Sequence, residues 1–247
     1  MLKIISLNQK FHDGKLVLDN INLSISKDDF AIIAGENGAG KTVLVKHLIG
    51  LLKPTSGKIF LHGKSIMDNL LWTRQKIGMV FQNPENQFLG QTVEDDIAFG
   101  PRNLKLTNEE IEARVNKALI TTSLSSLRKR SPHTLSGGEK RRLAIAGVLA
   151  MKPEIVIFDE PFSHLDYAGI KDLLKQILSL YKQGKTILII THDLDKVLAH
   201  ATKLIILNKG KMVLCGPPIT IINEVEKYGV RKPNFNKDNL KDLTWLR

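Results

Sequence analysis

The chain has 247 residues, of which 43% are hydrophobic and 25% are charged, as in a soluble globular protein with room for one large domain or two small ones. Its longest apolar runs fall short of the roughly 18 to 20 residues that cross a bilayer, and its N-terminus lacks the apolar core of a signal peptide. The single cysteine, Cys215, excludes an intramolecular disulfide and fits a reducing cytosol. The net charge of +11 indicates an anionic partner and leaves a nucleotide, a nucleic acid and a membrane surface open as alternatives.

The N-terminal part of the chain predicts antiparallel strands. Three short β-rich runs, at 2–7, 20–25 and 58–63, are interrupted by polar residues and separated by turn signals such as residues 12–14. Polar interruptions are typical of strands with one face in solvent. We therefore expect a small antiparallel β-subdomain here.

A mainly parallel sheet is predicted for the core. Four apolar runs have the pattern of strands buried on both faces, with a fifth candidate after them; the runs are 30–35, 77–82, 154–160, 186–192 and 203–207. Helical patterns occupy 41–52, 108–120, 137–151 and 167–183. Strands that alternate with helices indicate an α/β fold.

The domain organisation follows from two further features. Residues 83–151 lack convincing strands, which predicts a mainly helical insert in the core. Gly216, Pro217 and Pro218 mark the end of the core, and a polar stretch follows them. We expect a single domain over residues 1–216 and a short tail over 217–247.

A glycine-rich loop between the strand at 30–35 and the helix at 41–52 predicts a phosphate site. The sequence GENGAGKT, at 35–42, matches the pattern G-x-x-x-x-G-K-[ST] in the strand-to-helix context that this pattern requires. Backbone N–H groups of such a loop and the following helix N-terminus cradle phosphate oxygens. Lys41 is expected to reach the β- and γ-phosphates, and the Thr42 hydroxyl to bind Mg²⁺. The loop residues expected to hold ATP are Gly35, Asn37, Gly38, Gly40, Lys41 and Thr42.

Three other strand ends carry the groups that phosphate hydrolysis needs. Asp159 and Glu160 end the strand at 154–160, where Asp159 is expected to hold Mg²⁺ through water and Glu160 to polarise the attacking water. His192 ends the strand at 186–192, and its imidazole is placed to bond the γ-phosphate. Gln82 ends the strand at 77–82, where its amide is placed to contact Mg²⁺ or the water.

A second glycine pair lies far downstream, in LSGGEKRR at 135–142. Ser136 and Glu139 have the S-x-x-E spacing of a helix capping box, in which both side chains satisfy free N–H groups. A glycine-rich helix N-terminus is also a place where anions bind. Both interpretations of Ser136, Gly137 and Gly138 are open at this point.

Taken together, these motifs closely resemble those of the ATP-binding-cassette (ABC) ATPases, over residues 1 to about 216. The resemblance rests on the phosphate loop, Gln82, the Leu135–Glu139 signature, the Asp159–Glu160 pair, the SHLD loop at 163–166 and His192. It implies the ABC ATPase form of the P-loop NTPase fold, ATP and Mg²⁺ as cofactors, and ATP hydrolysis. It also implies that Phe11 is the aromatic residue that stacks on adenine.

In the resembled family two cassettes meet head to tail, and the signature of each covers the ATP held by the other. The resemblance therefore implies that Ser136, Gly137 and Gly138 bind ATP in trans, in a dimer with the same or a paralogous chain. Two residues depart from the family pattern. Glu139 replaces Gln, which requires its carboxylate to turn toward the backbone, and Val43 replaces a hydroxyl residue, with an expected loss of ATP affinity on the order of 1 kcal/mol.

The segment 83–101, directly after Gln82, resembles that of energy-coupling-factor (ECF) importers of vitamins, cobalt and nickel. This implies a peripheral subunit on the cytoplasmic side of the membrane, attached to a transmembrane coupling subunit and a substrate-binding membrane protein. Glu94, Asp95 and Asp96 are expected to pair with arginines of coupling helices. A role limited to capping the helix after Thr92 is the alternative.

A different class, the soluble ABC ATPases that act on nucleic acid or ribosomes, also fits the charge of +11. Such proteins usually have two tandem cassettes or a long coiled-coil insertion, and this chain has neither, so no nucleic acid is expected as a partner. An ordinary P-loop kinase or GTPase leaves LSGGEKRR unexplained.

Overall fold

A computed structural model describes residues 1–234 and 240–246. The strands in these residues are β1 (Leu2–Lys10), β2 (Leu16–Ile25), β3 (Phe30–Ala34), β4 (Ser56–Leu61), β5 (Lys64–Ser65), β6 (Ile77–Val80), β7 (Ile155–Asp159), β8 (Thr186–Ile190), β9 (Lys203–Asn208) and β10 (Lys211–Gly216). The α-helices are α1 (Lys41–Leu48), α2 (Leu70–Lys76), α3 (Val93–Asn103), α4 (Asn108–Thr121), α5 (Gly137–Ala150), α6 (Tyr167–Lys182) and α7 (Pro218–Ile221).

The central sheet has the strand order β10-β9-β3-β8-β7-β6. Its strands from β9 to β6 are parallel, and β10 pairs antiparallel with β9 at the edge. Every residue of β3, β7 and β8 is buried, which explains their uninterrupted apolar sequences. This arrangement confirms the predicted mainly parallel α/β core.

The register of the central strands brings their C-terminal ends together. Ile190 of β8 lies opposite Ile33 of β3 on one side and Asp159 of β7 on the other. The segments that follow these three strands therefore leave the sheet side by side. They carry the phosphate loop, the acidic pair and His192.

The antiparallel strands form a second sheet in the order β2-β1-β4-β5. Its buried face packs with Leu44 and Leu48 of α1 against one face of the central sheet, in a core that includes Ile33 and Ile157. Helix α6 covers the opposite face through residues such as Leu174 and Ile177. The predicted antiparallel subdomain is confirmed, and it fixes helix α1 beneath the phosphate loop.

Residues 83–151 form the helical lobe, which contains α3, α4 and α5. All of these residues are described and none of them lies in a strand, as predicted. The lobe has its own core, which includes Val93, Ile97, Leu119 and Leu143. A capping box between Thr107 and Glu110 begins α4.

Four elements of the fold were not predicted: strand β10, strand β5, helix α2 and the short helix α7. Strand β10 has only partly buried or exposed residues, so its sequence lacks the apolar run that marks a buried strand. Beyond Gly216, Ile222, Val225 and Val230 are buried against the face of the sheet that α6 covers. Residue 216 thus ends the sheet but not the packed core, and the division into domain and tail stays a prediction.

Within the described residues, no helix has the length and apolarity that a membrane span requires.

Candidate nucleotide-binding site

A cavity of about 640 Å³ opens at the C-terminal edge of the central sheet. It brings together nine of the predicted residues: Asn37, Gly38, Gly40, Lys41, Thr42, Gln82, Asp159, Glu160 and His192. A larger cavity, of about 840 Å³, lies on the antiparallel sheet beside Trp72 and includes none of these groups. The predicted chemistry therefore identifies the smaller cavity as the candidate site.

The glycines of the phosphate loop are required by close backbone approaches. A Cβ on Gly35 would lie 2.2 Å from the backbone oxygen of Leu207 in β9. Gly40, the N-cap of α1, has a φ of 101° and would place a Cβ 2.8 Å from Leu18 Cδ2. Any side chain at either position would push the loop away from the sheet and from strand β2.

Lys41 is a buried cation of the cavity, and it is 7% exposed. Its ammonium donates to the carbonyl oxygens of Gly35, at 2.6 Å, and Glu36, at 2.9 Å. Burial lowers the pKa of Lys41, and the negative charges of Glu160 and Asp159 oppose this effect. The loop thus holds a cation that is short of anionic partners.

Asp159 ends β7 and is 6% exposed. Burial raises the pKa of Asp159, the neighbouring Glu160 raises it further, and Lys41 acts in the opposite direction. A buried carboxylate with this shift gains stability from any cation placed beside it.

Glu160 and His192 form one hydrogen-bonded unit. The Glu160 carboxylate accepts from the backbone N–H of His192 at 3.1 Å and from the Thr191 hydroxyl at 3.2 Å, and His192 Nδ1 lies 2.8 Å from the same carboxylate. Glu160 has a φ of 44°, a conformation that is uncommon for a residue with a side chain and that concentrates at functional sites. The strained turn and the hydrogen bonds fix the direction of the carboxylate.

The oxygen donors of Thr42, Gln82 and Asp159 all line the cavity. A hydroxyl, an amide oxygen and a carboxylate are the donor types that Mg²⁺ accepts, with water and phosphate oxygens completing its shell. The described residues contain no group of three or more His, Cys, Asp or Glu that would hold a metal alone. The donor set fits a Mg²⁺ that arrives with a phosphate.

Some predicted residues lie outside this cavity. Phe11 is 39% exposed in the turn between β1 and β2 and is not among the lining residues, and Gly35 lies behind the loop, against β9. Ser136, Gly137 and Gly138 are exposed at the start of α5 in the helical lobe, and they do not line it. The ATP contacts of these five residues stay predictions.

The structure adds lining residues that the motifs did not include: Lys15, Leu16, Val17, Lys209 and Gly210. They come from the start of β2 and from the turn between β9 and β10. The turn is tied to the phosphate loop because Gly210 N–H donates to the Ala39 carbonyl at 3.1 Å. Lys209 and Gly210 both have left-handed backbone, and the sequence signal available for this tight turn was Gly210 two residues after Asn208.

The signature segment forms the predicted capping box. The Glu139 carboxylate accepts from Ser136 N–H at 2.7 Å and from the Ser136 hydroxyl at 2.9 Å, and Glu139 N–H donates to Ser136 Oγ at 3.4 Å. These backbone and hydroxyl bonds lower the pKa of Glu139. Glu139 is turned toward the backbone, as its departure from the family pattern requires.

The acidic residues at the start of α3 already have partners within the chain. Glu94 forms ion pairs with Arg128 and Lys129, and Asp95 accepts from the Thr92 hydroxyl at 2.6 Å. Asp96 accepts from Leu89 N–H at 2.7 Å and from Gly90 N–H at 3.0 Å. The capping interpretation therefore accounts for much of this cluster, and docking by these carboxylates stays a prediction.

Comparisons with known proteins agree with the site. The family model described as ABC transporter matches residues 18–163. An "Energy-coupling factor transporter ATP-binding protein EcfA" of Methanococcus maripaludis is 44% identical over 100% of this chain and 89% of its own length, and one of Methanocaldococcus jannaschii is 42% identical over 95% and 84%.

Solved structures give the same result. CbiO1 of Clostridium perfringens, described as part of the ABC transporter complex cbiONQ, has a TM-score of 0.82 and 38% identity, covering 92% of each chain. An ATP-binding cassette solved as a dimer in a post-hydrolysis state, bound to ADP and Pi, has a TM-score of 0.78 and 27% identity, covering 88% of this chain and 98% of its own.

The buried carboxylate of Asp159 leads to a prediction about stability. The pKa of Asp159 is higher in the folded chain than in the unfolded chain, so the ionised carboxylate destabilises the fold. This loss of stability is complete above the raised pKa and absent below the ordinary pKa of an aspartate. Asp159→Asn should therefore increase the free energy of unfolding at pH 7, and the gain should shrink as the pH falls. Urea unfolding of the wild type and of Asp159→Asn, from pH 7 downward, measures this gain. The exposed Asp172→Asn is the control, and equal stabilities of wild type and Asp159→Asn at pH 7 would contradict the prediction.

Proposed function

The chain belongs to the ABC transporter family, and we propose that it is the ATP-binding and hydrolysing subunit that energises an ECF-type importer of a vitamin or a transition-metal ion. The observation that carries the proposal is the convergence of Lys41, Asp159 and Glu160 on one cavity at the edge of the sheet. Curated relatives named as ECF transporter ATP-binding proteins over nearly the full chain support the importer type.

ATP binding exploits the charge imbalance of the phosphate loop. A triphosphate offers Lys41 anionic oxygens in place of the Gly35 and Glu36 carbonyls, while the N–H groups at the start of α1 bond the same phosphates. Mg²⁺, held by Thr42, Gln82 and Asp159, supplies charge neutralisation of the phosphates when bound. Lys15 and Lys209, at the rim of the cavity, extend the positive surface toward the incoming nucleotide.

Hydrolysis is assigned to Glu160 and His192. The Glu160 carboxylate accepts the hydrogen bond of the attacking water and orients it toward the γ-phosphorus. His192 is 2.8 Å from that carboxylate, and its ring also borders the cavity, so it connects Glu160 with the γ-phosphate.

The site is completed by a second cassette. Ser136, Gly137 and Gly138 belong to the helical lobe, are exposed, and lie away from the chain's own cavity. The N–H groups of Gly137 and Gly138, at the N-terminus of α5, suit the γ-phosphate held by a partner subunit, which is the same chain or a paralogue.

A groove between the helical lobe and the sheet suits a helix of the transmembrane coupling subunit. It has a volume of about 330 Å³, and its lining includes Leu51, Phe99, Met151 and Asp96. Leu51 and Phe99 are 49% and 46% exposed, and because both line this groove they form an apolar surface that a partner could cover. Of the three predicted docking carboxylates only Asp96 borders this groove, so we place apolar contacts at the centre of the dock. The chain then lies at the cytoplasmic face of the membrane, beside the substrate-binding membrane protein.

The alternative, a soluble ABC ATPase acting on nucleic acid, has no support from these relatives, which are named as transporter subunits.

Replacing Glu160 tests the catalytic assignment. Glu160→Gln should keep ATP affinity and lower turnover by at least about a hundredfold, as expected when a positioned base is lost. Steady-state hydrolysis and equilibrium nucleotide binding measure the two effects, and the variant should accumulate as an ATP-bound dimer in size-exclusion chromatography. Turnover near that of the wild type would refute the role of Glu160.

Mixing two inactive variants tests the shared site. Lys41→Ala disables the phosphate loop and Ser136→Arg disables the signature. A mixed dimer therefore contains one intact site, made from the phosphate loop of one chain and the signature of the other. ATPase activity should reappear on mixing, up to about the activity of one site per dimer. The unmixed variants are the controls. If both variants dimerise with each other and the mixture stays inactive, the signature does not act in trans.

Charges in the groove test the membrane dock. Leu51→Glu with Phe99→Glu should abolish co-purification with the transmembrane subunit, because docking would then bury unpaired carboxylates at a cost of several kcal/mol. Leu89→Glu is the matched control, since Leu89 is 67% exposed and lies outside the groove. ATP binding by the isolated chain reports on folding. Normal assembly of a folded double variant would place the dock elsewhere.

A further inference from the structure

A second cationic cavity lies between the helical lobe and the central sheet, outside the nucleotide site. It has a volume of about 310 Å³ and is lined by four cationic residues, Arg114, Lys117, Lys152 and Lys185, with Thr121, Gln183 and apolar residues between them. No carboxylate belongs to this lining, all of which is in the described part of the chain. Four positive charges in so small a volume repel one another.

Two of the cations already hold the chain together. Arg114 donates through one guanidinium nitrogen to the Ala150 carbonyl at 3.1 Å, and Lys185 donates to the Pro153 carbonyl at 2.7 Å. Both thus secure the segment that leaves α5, and each keeps further N–H donors free. The side chains of Lys117 and Lys152 form no hydrogen bond or ion pair with the residues that the structure describes. Lys152 also has a left-handed φ of 55°, which costs energy in a residue with a side chain.

Helix ends neutralise only part of this charge. Helices α4 and α5 end at Thr121 and Ala150, which line the cavity, and α6 ends just before Gln183, which also lines it. Each helix C-terminus carries about −0.5 charge, so three of them offset about 1.5 of the four positive charges. About 2.5 positive charges remain.

Neighbouring side chains outside the lining do not remove the excess. Burial lowers the pKa of Lys185, and the charges of Lys117 and Lys76 lower it further against the effect of Glu154. Glu154 is itself engaged by Lys76 at 2.6 Å and by His62 at 2.6 Å. The repulsion among the cations is therefore present in the folded chain.

We propose that this cavity binds a small multivalent phosphate anion, such as inorganic pyrophosphate or a compact phosphate ester. A charge of two to three matches the uncompensated charge, and the planar guanidinium of Arg114 suits two phosphate oxygens at once. Gln183 and Thr121 add uncharged donors. Such an anion bridges Arg114 and Lys117 on α4 to Lys185 before β8, and so ties the helical lobe to the core, a role beyond ATP hydrolysis.

The test measures pyrophosphate binding with the nucleotide site disabled. Full-length Lys41→Ala protein, in magnesium-free buffer, is titrated with inorganic pyrophosphate in a calorimeter. We expect one saturable site. Adding Lys117→Ala and Lys152→Ala should weaken this site at least about tenfold, because two of its four charges are lost. Their side chains have no partners in the described structure, so the fold should be kept, which circular dichroism checks.

The matched control removes Lys3 and Lys10, two exposed lysines of strand β1 that are not in the lining of the cavity, and should leave pyrophosphate affinity unchanged. The proposal is overturned if pyrophosphate does not saturate a site at millimolar concentration, or if the two pairs of substitutions have equal effects. It is also overturned if hexaglutamate binds at the cavity and pyrophosphate does not, since the occupant would then be an acidic peptide. Restored affinity in Lys117→Arg with Lys152→Arg would support a requirement for charge.

Discussion

Lys41 and Asp159 are opposite charges buried at the end of a parallel sheet, and the rest of the site depends on how these two charges are balanced. Each is less than a tenth exposed, and burial disfavours the charged form of both. Their mutual attraction compensates for part of this desolvation. Without a phosphate, the carbonyls of Gly35 and Glu36 solvate the ammonium, which is a weaker arrangement than an anionic oxygen provides. An anion beside Lys41 and a cation beside Asp159 would each stabilise this arrangement, and under the proposed function a magnesium nucleotide would supply both.

The sequence was sufficient to predict the residues that follow parallel strands, because local pattern determines both the strand and the position of its end. Runs of buried apolar residues identified β3, β6, β7 and β8, and the polar groups directly after them meet at one edge whatever the details of packing. Lys15 and Lys209 could not be found in this way. Lys209 reaches the cavity because the turn before β10 contacts the phosphate loop through Gly210 and Ala39. Strand β2, which follows Lys15, is joined to the same turn because Asp19 N–H donates to the Gly210 carbonyl at 2.9 Å. Both are tertiary contacts between distant segments with no local pattern.

The acidic residues of α3 show a different limit of sequence analysis. Their number and position do not distinguish a docking surface from a helix cap. They also do not show whether each carboxylate has a partner within the chain. The partners of Glu94 lie more than 30 residues away, at Arg128 and Lys129, whereas Asp96 is satisfied by the backbone of Leu89 and Gly90. Reversing all three charges would break the helical lobe as well as any dock. Substitutions at the exposed Leu51 and Phe99 would affect the dock without removing the ion pairs and helix caps of the helical lobe.

The basic segment 128–142 contributes six Lys and Arg residues against one Glu to the net charge of +11, but several of its cations serve the chain itself. Arg128 and Lys129 pair with Glu94, and Lys140 pairs with Glu85 at 2.6 Å. Arg141, whose pKa is lowered by burial, donates to the carbonyl of Pro161 and, at 3.3 Å, to that of Ser163.

Arg141 therefore joins helix α5, which begins at the signature, to the turn directly after Glu160. Under the proposed function, a movement of the signature against a partner's nucleotide would be transmitted through this guanidinium to the segment that follows Glu160, because breaking its bonds would leave a buried charge unsatisfied. The same helix has its C-terminal end at the cationic cavity, where the segment after it is held by Arg114 and Lys185. Helix α5 is thus attached at one end to the hydrolysis site and at the other to a cluster of unbalanced charge. An anion in that cavity would act on the rigid element that the catalytic turn already contacts.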